Sequence, residues 1–288
     1  MISVVPPDWP HRSTSRIAAV APHRWHVQEM GQGPDLLLIH GAGGASHSWR
    51  GLMPLLAAHY RVLVIDLPGQ GFTRTSARGR LGLDPMAEDI VHLCAAQGWH
   101  PAALIGHSAG AAVALRLTEL LPEPPRALVG LNAALGPFEG VAGWLFPMIA
   151  RVLTLTPLVP QLFARLSMGG DRVGNLLAST GSKLSPEGVA LYRRLVTSPT
   201  HVDATLAMMA QWRLDGLLSR LPQIATPSLL IATDLDHTVP AATSRRAAER
   251  MPNAEYLEIR NFGHLLHEED PALTGSLILP FLARHLGA

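Results

Sequence analysis

The feature that most constrains this chain is a short apolar run ending at Leu104-Ile105, which meets Gly106-His107-Ser108-Ala109-Gly110 and passes directly into an alanine-rich stretch with helical character. A glycine-x-serine-x-glycine pentapeptide in that setting calls for a strand, a sharply bent turn and a helix folded back against the strand. Gly106 and Gly110 lack a Cβ, so strand and helix can approach closely, and the bend aims the Ser108 hydroxyl outward. A helix that begins directly behind Ser108 supplies backbone N–H donors and the positive end of a dipole, both suited to a developing oxyanion. Glycine- and serine-rich turns also arise without chemistry, so the weight of the reading falls on the rest of the chain.

Upstream, Leu36-Leu37-Leu38-Ile39 runs into His40-Gly41-Ala42-Gly43-Gly44, an apolar strand followed by a glycine-rich loop and a helix. A phosphate-binding loop would carry a lysine and a hydroxyl at its end, as in GxxxxGK[ST], and this loop has neither. Residues 61–71 (RVLVIDLPGQG) supply the next strand and turn. Downstream, residues 227–231 have a buried-strand pattern, and Asp234-Leu235-Asp236-His237-Thr238-Val239-Pro240 offers two carboxylates at that strand's C-terminal end. The strand at 254–259 is followed by Asn261-Phe262-Gly263-His264, which puts His264 on a loop at the rim expected to hold Ser108. A serine hydroxyl is a weak nucleophile, so a base must take its proton during attack and return it to the leaving group, and an acid must hold that base in the right tautomer. Imidazole suits the task because it ordinarily titrates near pH 6.5, about where enzymes work. The chain order serine, acid, histidine nominates Ser108, an aspartate at 234 or 236, and His264. His40 and His107 lie inside backbone-shaping motifs and His267 sits about one helical turn beyond His264, so all three are expected to have structural roles. An aspartate at the elbow would have pointed to an alkyl-ester mechanism, as in dehalogenases and epoxide hydrolases; Ser108 argues against it.

The alternation of strand-like runs at 36–40, 62–66, 102–106, 127–131, 228–231 and 255–259 with helical patterns implies a mostly parallel sheet covered by helices on both faces, an α/β architecture. Residues 13–31 are expected to add antiparallel edge strands, clearest at 25–28. With 288 residues the chain is long enough for one large domain with a substantial core and too short for two independent ones. Residues 1–135 and 223–288 are read as the two parts of that core, flanking a helical cap at 136–222 that is too long for a loop and has no strand alternation. Within the cap, residues 141–163 carry one charge, Arg151, and three prolines, Pro147, Pro157 and Pro160, a pattern that argues against a membrane span. Trp144, Phe146, Met148, Phe163, Met168, Met208, Met209 and Trp212 are expected either to pack the cap onto the core or to line a wide apolar pocket, since methionine-rich walls adapt to a bulky flat ligand.

A formal net charge of +1, with 16% charged residues and scattered arginines, gives no reason to expect a nucleic-acid partner. The single cysteine, Cys94, excludes an intramolecular disulfide and is expected to be a packing residue. The first residues lack the positive start and apolar run of a secretory signal, so the cytoplasm is the expected compartment, and no transmembrane segment is expected. The 14 histidines include no HxxxH pair with a supporting carboxylate, so neither a metal site nor a cofactor is expected.

These motifs resemble the α/β-hydrolase superfamily across essentially the whole chain. The resemblance implies the α/β-hydrolase fold and an oxyanion hole formed by the N–H groups of Ala42 and Ala109. It also favours Asp236 as the acid, because Asp-x-x-Val-Pro matches the acid loop of these hydrolases, with Asp234 left as a loop-stabilising carboxylate. Gln70 departs from the pattern, which usually has histidine there, and is expected to affect packing more than chemistry. A narrower likeness is carried by Val5-Pro6-Pro7-Asp8-Trp9-Pro10, Trp25-His26-Val27-Gln28, His47-Ser48-Trp49-Arg50, Asp66-Leu67-Pro68-Gly69, Gly106-His107-Ser108-Ala109-Gly110-Ala111-Ala112, Thr180-Gly181-Ser182, Ala207-Met208-Met209-Ala210-Gln211-Trp212 and Gly263-His264-Leu265-Leu266-His267-Glu268-Glu269. Together these are similar to the magnesium chelatase accessory protein of bacteriochlorophyll biosynthesis, the BchO family, and they include the cap and N-terminal tail where generic hydrolases differ most. That resemblance implies a role near the insertion of magnesium into protoporphyrin IX in a photosynthetic bacterium, at the periphery of the photosynthetic membrane, with protoporphyrin IX or its magnesium complex as ligand and magnesium chelatase as partner. Two functions from different classes fit the sequence: a serine hydrolase acting on an ester or amide of a large apolar molecule, or a hydrolase fold serving as a porphyrin-binding and delivery module; carbon–carbon bond hydrolysis and a cofactor-free haloperoxidase activity share the same triad, and the sequence does not separate them from the first.

Overall fold

The computed structural model describes residues 5–136 and 171–287. Nine strands among them form one sheet: β1 (Ser15–Val20), β2 (His23–Met30), β3 (Asp35–Ile39), β4 (Arg61–Ile65), β5 (Arg74–Thr75), β6 (Pro101–His107), β7 (Ala127–Leu131), β8 (Ser228–Thr233) and β9 (Ala254–Ile259). Their order is β1-β2-β4-β3-β6-β7-β8-β9, with β5 paired to β2. The first two strands pair antiparallel with each other and β2 pairs antiparallel with β4; from β4 to β9 every neighbour is parallel. The two-residue β5 carries no strand pattern of its own and owes its place to pairing with Arg24 and His23.

The parallel strands are apolar on both faces because both faces are covered. Leu37, Ile39, Leu63, Ile65 and Leu104 face one core, into which α2 (Leu83–Gln97) and α3 (Ala109–Leu120) pack. Their sequence neighbours Leu36, Leu38, Val62, Val64 and Ile105 point the other way, against α1 (Leu52–Ala57) and the C-terminal helix Pro271–Leu286. This period of two follows from the alternation of side chains along a strand. Truncating one such leucine to alanine should cost about 2–5 kcal/mol. Cys94 is buried in the first core, where burial pushes its thiol up to about 12, so it packs as a small hydrophobe.

Every regular element described between β7 and β8 is helical: α4 (Arg172–Ala178), α5 (Pro186–Val196), α6 (Pro199–Gln211), α7 (Asp215–Arg220) and a short 3-10 turn. The start of α5 is set by Ser185, whose hydroxyl accepts from the Gly188 N–H, and by Pro186 in the first turn. Helix α6 joins the first core through Ala204, Ala207 and Met208. After β8 come α8 (Ala241–Ala248), α9 (Leu266–Glu269) and α10, the C-terminal helix named above, which Asp270 caps. No helix of the described residues is long and apolar enough to cross a membrane.

Candidate active site

At the centre of the sheet β6 ends on His107, α3 starts on Ala109, and Ser108 makes the turn with φ 52° and ψ −118°, a conformation normally left to glycine. The backbone over-determines it. The Ser108 N–H donates to Leu131 O over 2.9 Å, and its carbonyl accepts from the N–H groups of Ala111 and Ala134, each at 3.1 Å. A Cβ on Gly110 would overlap the carbonyls of Ile39 and His40, so only glycine lets α3 start this close to β3. Ser108 is 8% exposed.

Asp236 and His264 come from the ends of β8 and β9, parallel neighbours whose C-terminal loops open on one rim. His264 Nδ1 and Asp236 Oδ2 are 2.7 Å apart. Asp236 Oδ2 also accepts from Asn132 Nδ2 at 2.9 Å, and Oδ1 accepts from the N–H groups of Thr238 and Val239 at 2.7 and 2.8 Å. Four hydrogen bonds thus fix this carboxylate in one orientation. With Asp236 accepting at Nδ1, the tautomer that donates there leaves a lone pair on His264 Nε2. Asp234 points elsewhere: its Oδ1 accepts from the Asn261 N–H at 2.7 Å, pinning the loop before His264.

The glycine loop after β3 is held from two sides. Gly43 donates its N–H to Gln70 Oε1 at 2.8 Å, and its carbonyl lies 3.2 Å from His201 Nε2; the other His201 nitrogen accepts the Gly71 N–H at 3.0 Å. These two bonds require neutral His201, and burial, aided by nearby His40, pushes it down to about 4. Gln70 Nε2 in turn donates to Met208 Sδ at 3.1 Å. Gln70 therefore does more than pack: it ties the loop to α6, a role its position in the sequence did not reveal. With Gly43 and Ala111 committed, the N–H groups of Ala42 and Ala109 have no acceptor among the described residues. His40 is satisfied locally, donating from Nδ1 to Gly41 O at 2.7 Å and accepting the Leu67 N–H on Nε2 at 2.9 Å. His107 donates to the His264 carbonyl.

The family model for the alpha/beta hydrolase fold matches residues 34–271. The chain belongs to that family. Among its relatives, the magnesium-chelatase 30 kDa subunit of Rhodobacter capsulatus is 47% identical over 96% of this chain and 98% of its own length. The pimeloyl-[acyl-carrier protein] methyl ester esterase of Xanthomonas oryzae pv. oryzae is 30% identical over 83% of this chain and 91% of its own. The solved structure of the epoxide hydrolase CorEH superposes with a TM-score of 0.78 at 22% identity, covering 94% of this chain and 99% of that one, and shares the fold.

In this alpha/beta hydrolase, Trp144, Phe146, Met148, Phe163 and Met168 lie outside the described residues. Of the other residues expected at an apolar pocket, Met208 is packed in the core beneath α6 with its sulfur on Gln70, while Met209 and Trp212 are half-buried. Several residues that shape the site were not nominated for it by the sequence. Asn132, with φ 47°, is one: it sits just past β7 and bridges Asp236 to Thr233 Oγ1. A polar residue directly after an apolar strand was its only sequence signal. Glu269 is another, accepting the Gly263 N–H at 3.0 Å.

Proposed function

We propose that this protein is a serine hydrolase of an ester or amide of a large apolar, tetrapyrrole-like molecule, acting near magnesium chelation in bacteriochlorophyll biosynthesis. The observation that carries the hydrolase reading is the 2.7 Å Asp236–His264 hydrogen bond on the rim that also holds the elbow of Ser108. Ser108 Oγ attacks the carbonyl carbon while His264 Nε2 takes its proton, and Asp236 stabilises the imidazolium that forms. The oxygen of the tetrahedral intermediate takes up the negative charge against the N–H groups of Ala42 and Ala109. Collapse expels the leaving group, which receives the proton from His264, and water repeats the sequence on the acyl-enzyme. Support for the substrate class comes from the relative named as a chelatase subunit, and support for ester chemistry from the relative named as a methyl ester esterase. The test is labelling with a fluorophosphonate probe in the presence and absence of protoporphyrin IX. Labelling of Ser108 that porphyrin suppresses is the expected result; no labelling of folded protein would overturn the hydrolase reading.

A second reading, porphyrin binding and delivery to magnesium chelatase without catalysis, is favoured by the same relative's being named as a chelatase subunit. It predicts that Ser108→Ala keeps full porphyrin affinity and full support of chelation. Under the hydrolase reading that variant keeps affinity and loses function.

A further inference from the structure

We infer that Thr180-Gly181-Ser182, the turn between α4 and α5, is a clip that positions the Asp236 loop and the His264 loop relative to each other. The inference rests on the proposed pairing of Asp236 with His264 as acid and base. The Thr180 carbonyl accepts two N–H groups: that of His237, directly after Asp236, at 3.2 Å, and that of His264 itself at 3.3 Å. One oxygen thus joins both loops. Ser182 is buried, and its hydroxyl accepts the N–H of Leu265, the residue after His264, at 2.8 Å. The next residue, Lys183, donates its N–H to Glu269 Oε2 at 3.0 Å, while Glu269 Oε1 holds the N–H of Gly263, directly before His264. Residues 263, 264 and 265 are therefore each fixed through the backbone, two of them by this turn and one by a carboxylate that also grips it.

Close approach makes the arrangement specific. Gly181 has φ 87°, and a Cβ there would overlap the carbonyl oxygen of Leu235, one residue before the acid; a Cβ on Gly263 would overlap the Gly181–Ser182 peptide. Two glycines from distant parts of the chain thus let three backbones meet at van der Waals distance. On the opposite side Asn132 holds the Asp236 carboxylate and Thr233 donates to Gly263 O at 2.8 Å. The acid and base loops are consequently clamped between β7–β8 and a turn supplied by the helical insertion. The turn at 180–182 thereby sets the geometry of the two loops it touches.

The decisive variant is Ser182→Ala, which takes the acceptor from the Leu265 N–H without touching Asp236 or His264. Misplacement of a catalytic group by a fraction of an ångström lowers rate far more than binding. The expected result is a fall of about tenfold in the rate constant for fluorophosphonate labelling of Ser108, with the apparent affinity for the probe unchanged. It should be accompanied by a displaced downfield proton resonance for the His264 Nδ1–H···Asp236 hydrogen bond, and Ser182→Thr, which keeps the hydroxyl, should restore both. Glu269→Gln provides the same two readouts should Ser182→Ala fold poorly. Wild-type labelling with an unmoved resonance, or a lower melting temperature with an unmoved resonance, would overturn the clip. If wild-type protein is not labelled but Ser182→Ala still displaces the resonance, the hydrolase reading fails and the clip stands.

Discussion

His107 donates from Nε2 to the backbone carbonyl of His264 across 2.9 Å, joining the residue before Ser108 to the residue 157 positions later that is proposed to take its proton. Burial, with His267 and His264 nearby, holds His107 well below the ordinary histidine range, so it remains a neutral donor. Its ring lies 4.7 Å from that of His264 and 4.5 Å from that of His267, which in turn rests 4.7 Å from Trp49. The His264 loop is thereby registered against the Ser108 elbow by one hydrogen bond and a column of rings.

His107→Ala should lower the rate of Ser108 labelling by about tenfold and lower stability by about 1–3 kcal/mol, because the buried His264 carbonyl loses its donor. Probe kinetics and urea unfolding measure the two effects. Labelling at the wild-type rate would show that the loop is held sufficiently by its other contacts.

Asp236→Asn should reduce labelling or turnover by about a hundredfold or more, since the substituted amide favours the wrong imidazole tautomer. Asp234→Asn should stay within a few fold, because Asp234 only accepts from the Asn261 N–H on the surface of the loop. If Asp234→Asn proves the more damaging of the two, the acid has been misassigned.

Ser108→Ala and Ser108→Gly should both abolish labelling but differ in stability. Ser108 holds φ 52° and ψ −118°, strain of about 1–3 kcal/mol for a residue with a Cβ. Glycine relieves that strain at a cost of about 0.5–1 kcal/mol in chain entropy, so Ser108→Gly should melt above Ser108→Ala. The reverse order would mean that the elbow is not strained in solution.

Stability should fall on the acid side of neutrality. Histidine ordinarily titrates at 6.5, and burial pushes His201 down to about 4 and His267 down to about 3 in the folded protein. Both are neutral in either state above pH 6.5, so their contribution is complete there; as pH falls, the unfolded chain takes protons the folded chain refuses, at about 1.4 kcal/mol per pH unit for each group. Glu268 acts in the opposite sense, since burial raises it from 4.5 to about 6 and its contribution is lost as pH rises through that window. Neither ring nitrogen of His267 has a partner among the described residues, so His267→Phe should flatten the decline between pH 6.5 and 3. Melting curves across that range check it, and an unchanged slope would contradict the assignment.

Short-range order along the chain specifies the local pieces of this protein. Apolar runs that end in glycine turns specify strand, bend and helix through backbone sterics and short-range periodicity, so β3, β4, β6, β7, β8 and β9, the elbow at Ser108 and the loops carrying Asp236 and His264 were all legible from the order of residues. The edge pair β1–β2 was legible for the same reason. Tertiary structure decided whatever depends on residues far apart in the chain. It turned Asp236 rather than Asp234 toward His264, because parallel pairing of β8 with β9 sets the two loops side by side. It made Gln70, expected to matter for packing, a bridge between Gly43 and Met208, and it placed Asn132 against Asp236. The turn at 180–182 stood out in the sequence only as a resemblance, and it meets the two loops because α4 and α5 return it there. Steric preference acts over a few residues and can be read along the chain, whereas hydrogen-bond partners separated by a hundred residues are chosen only when the sheet and helices have closed around them.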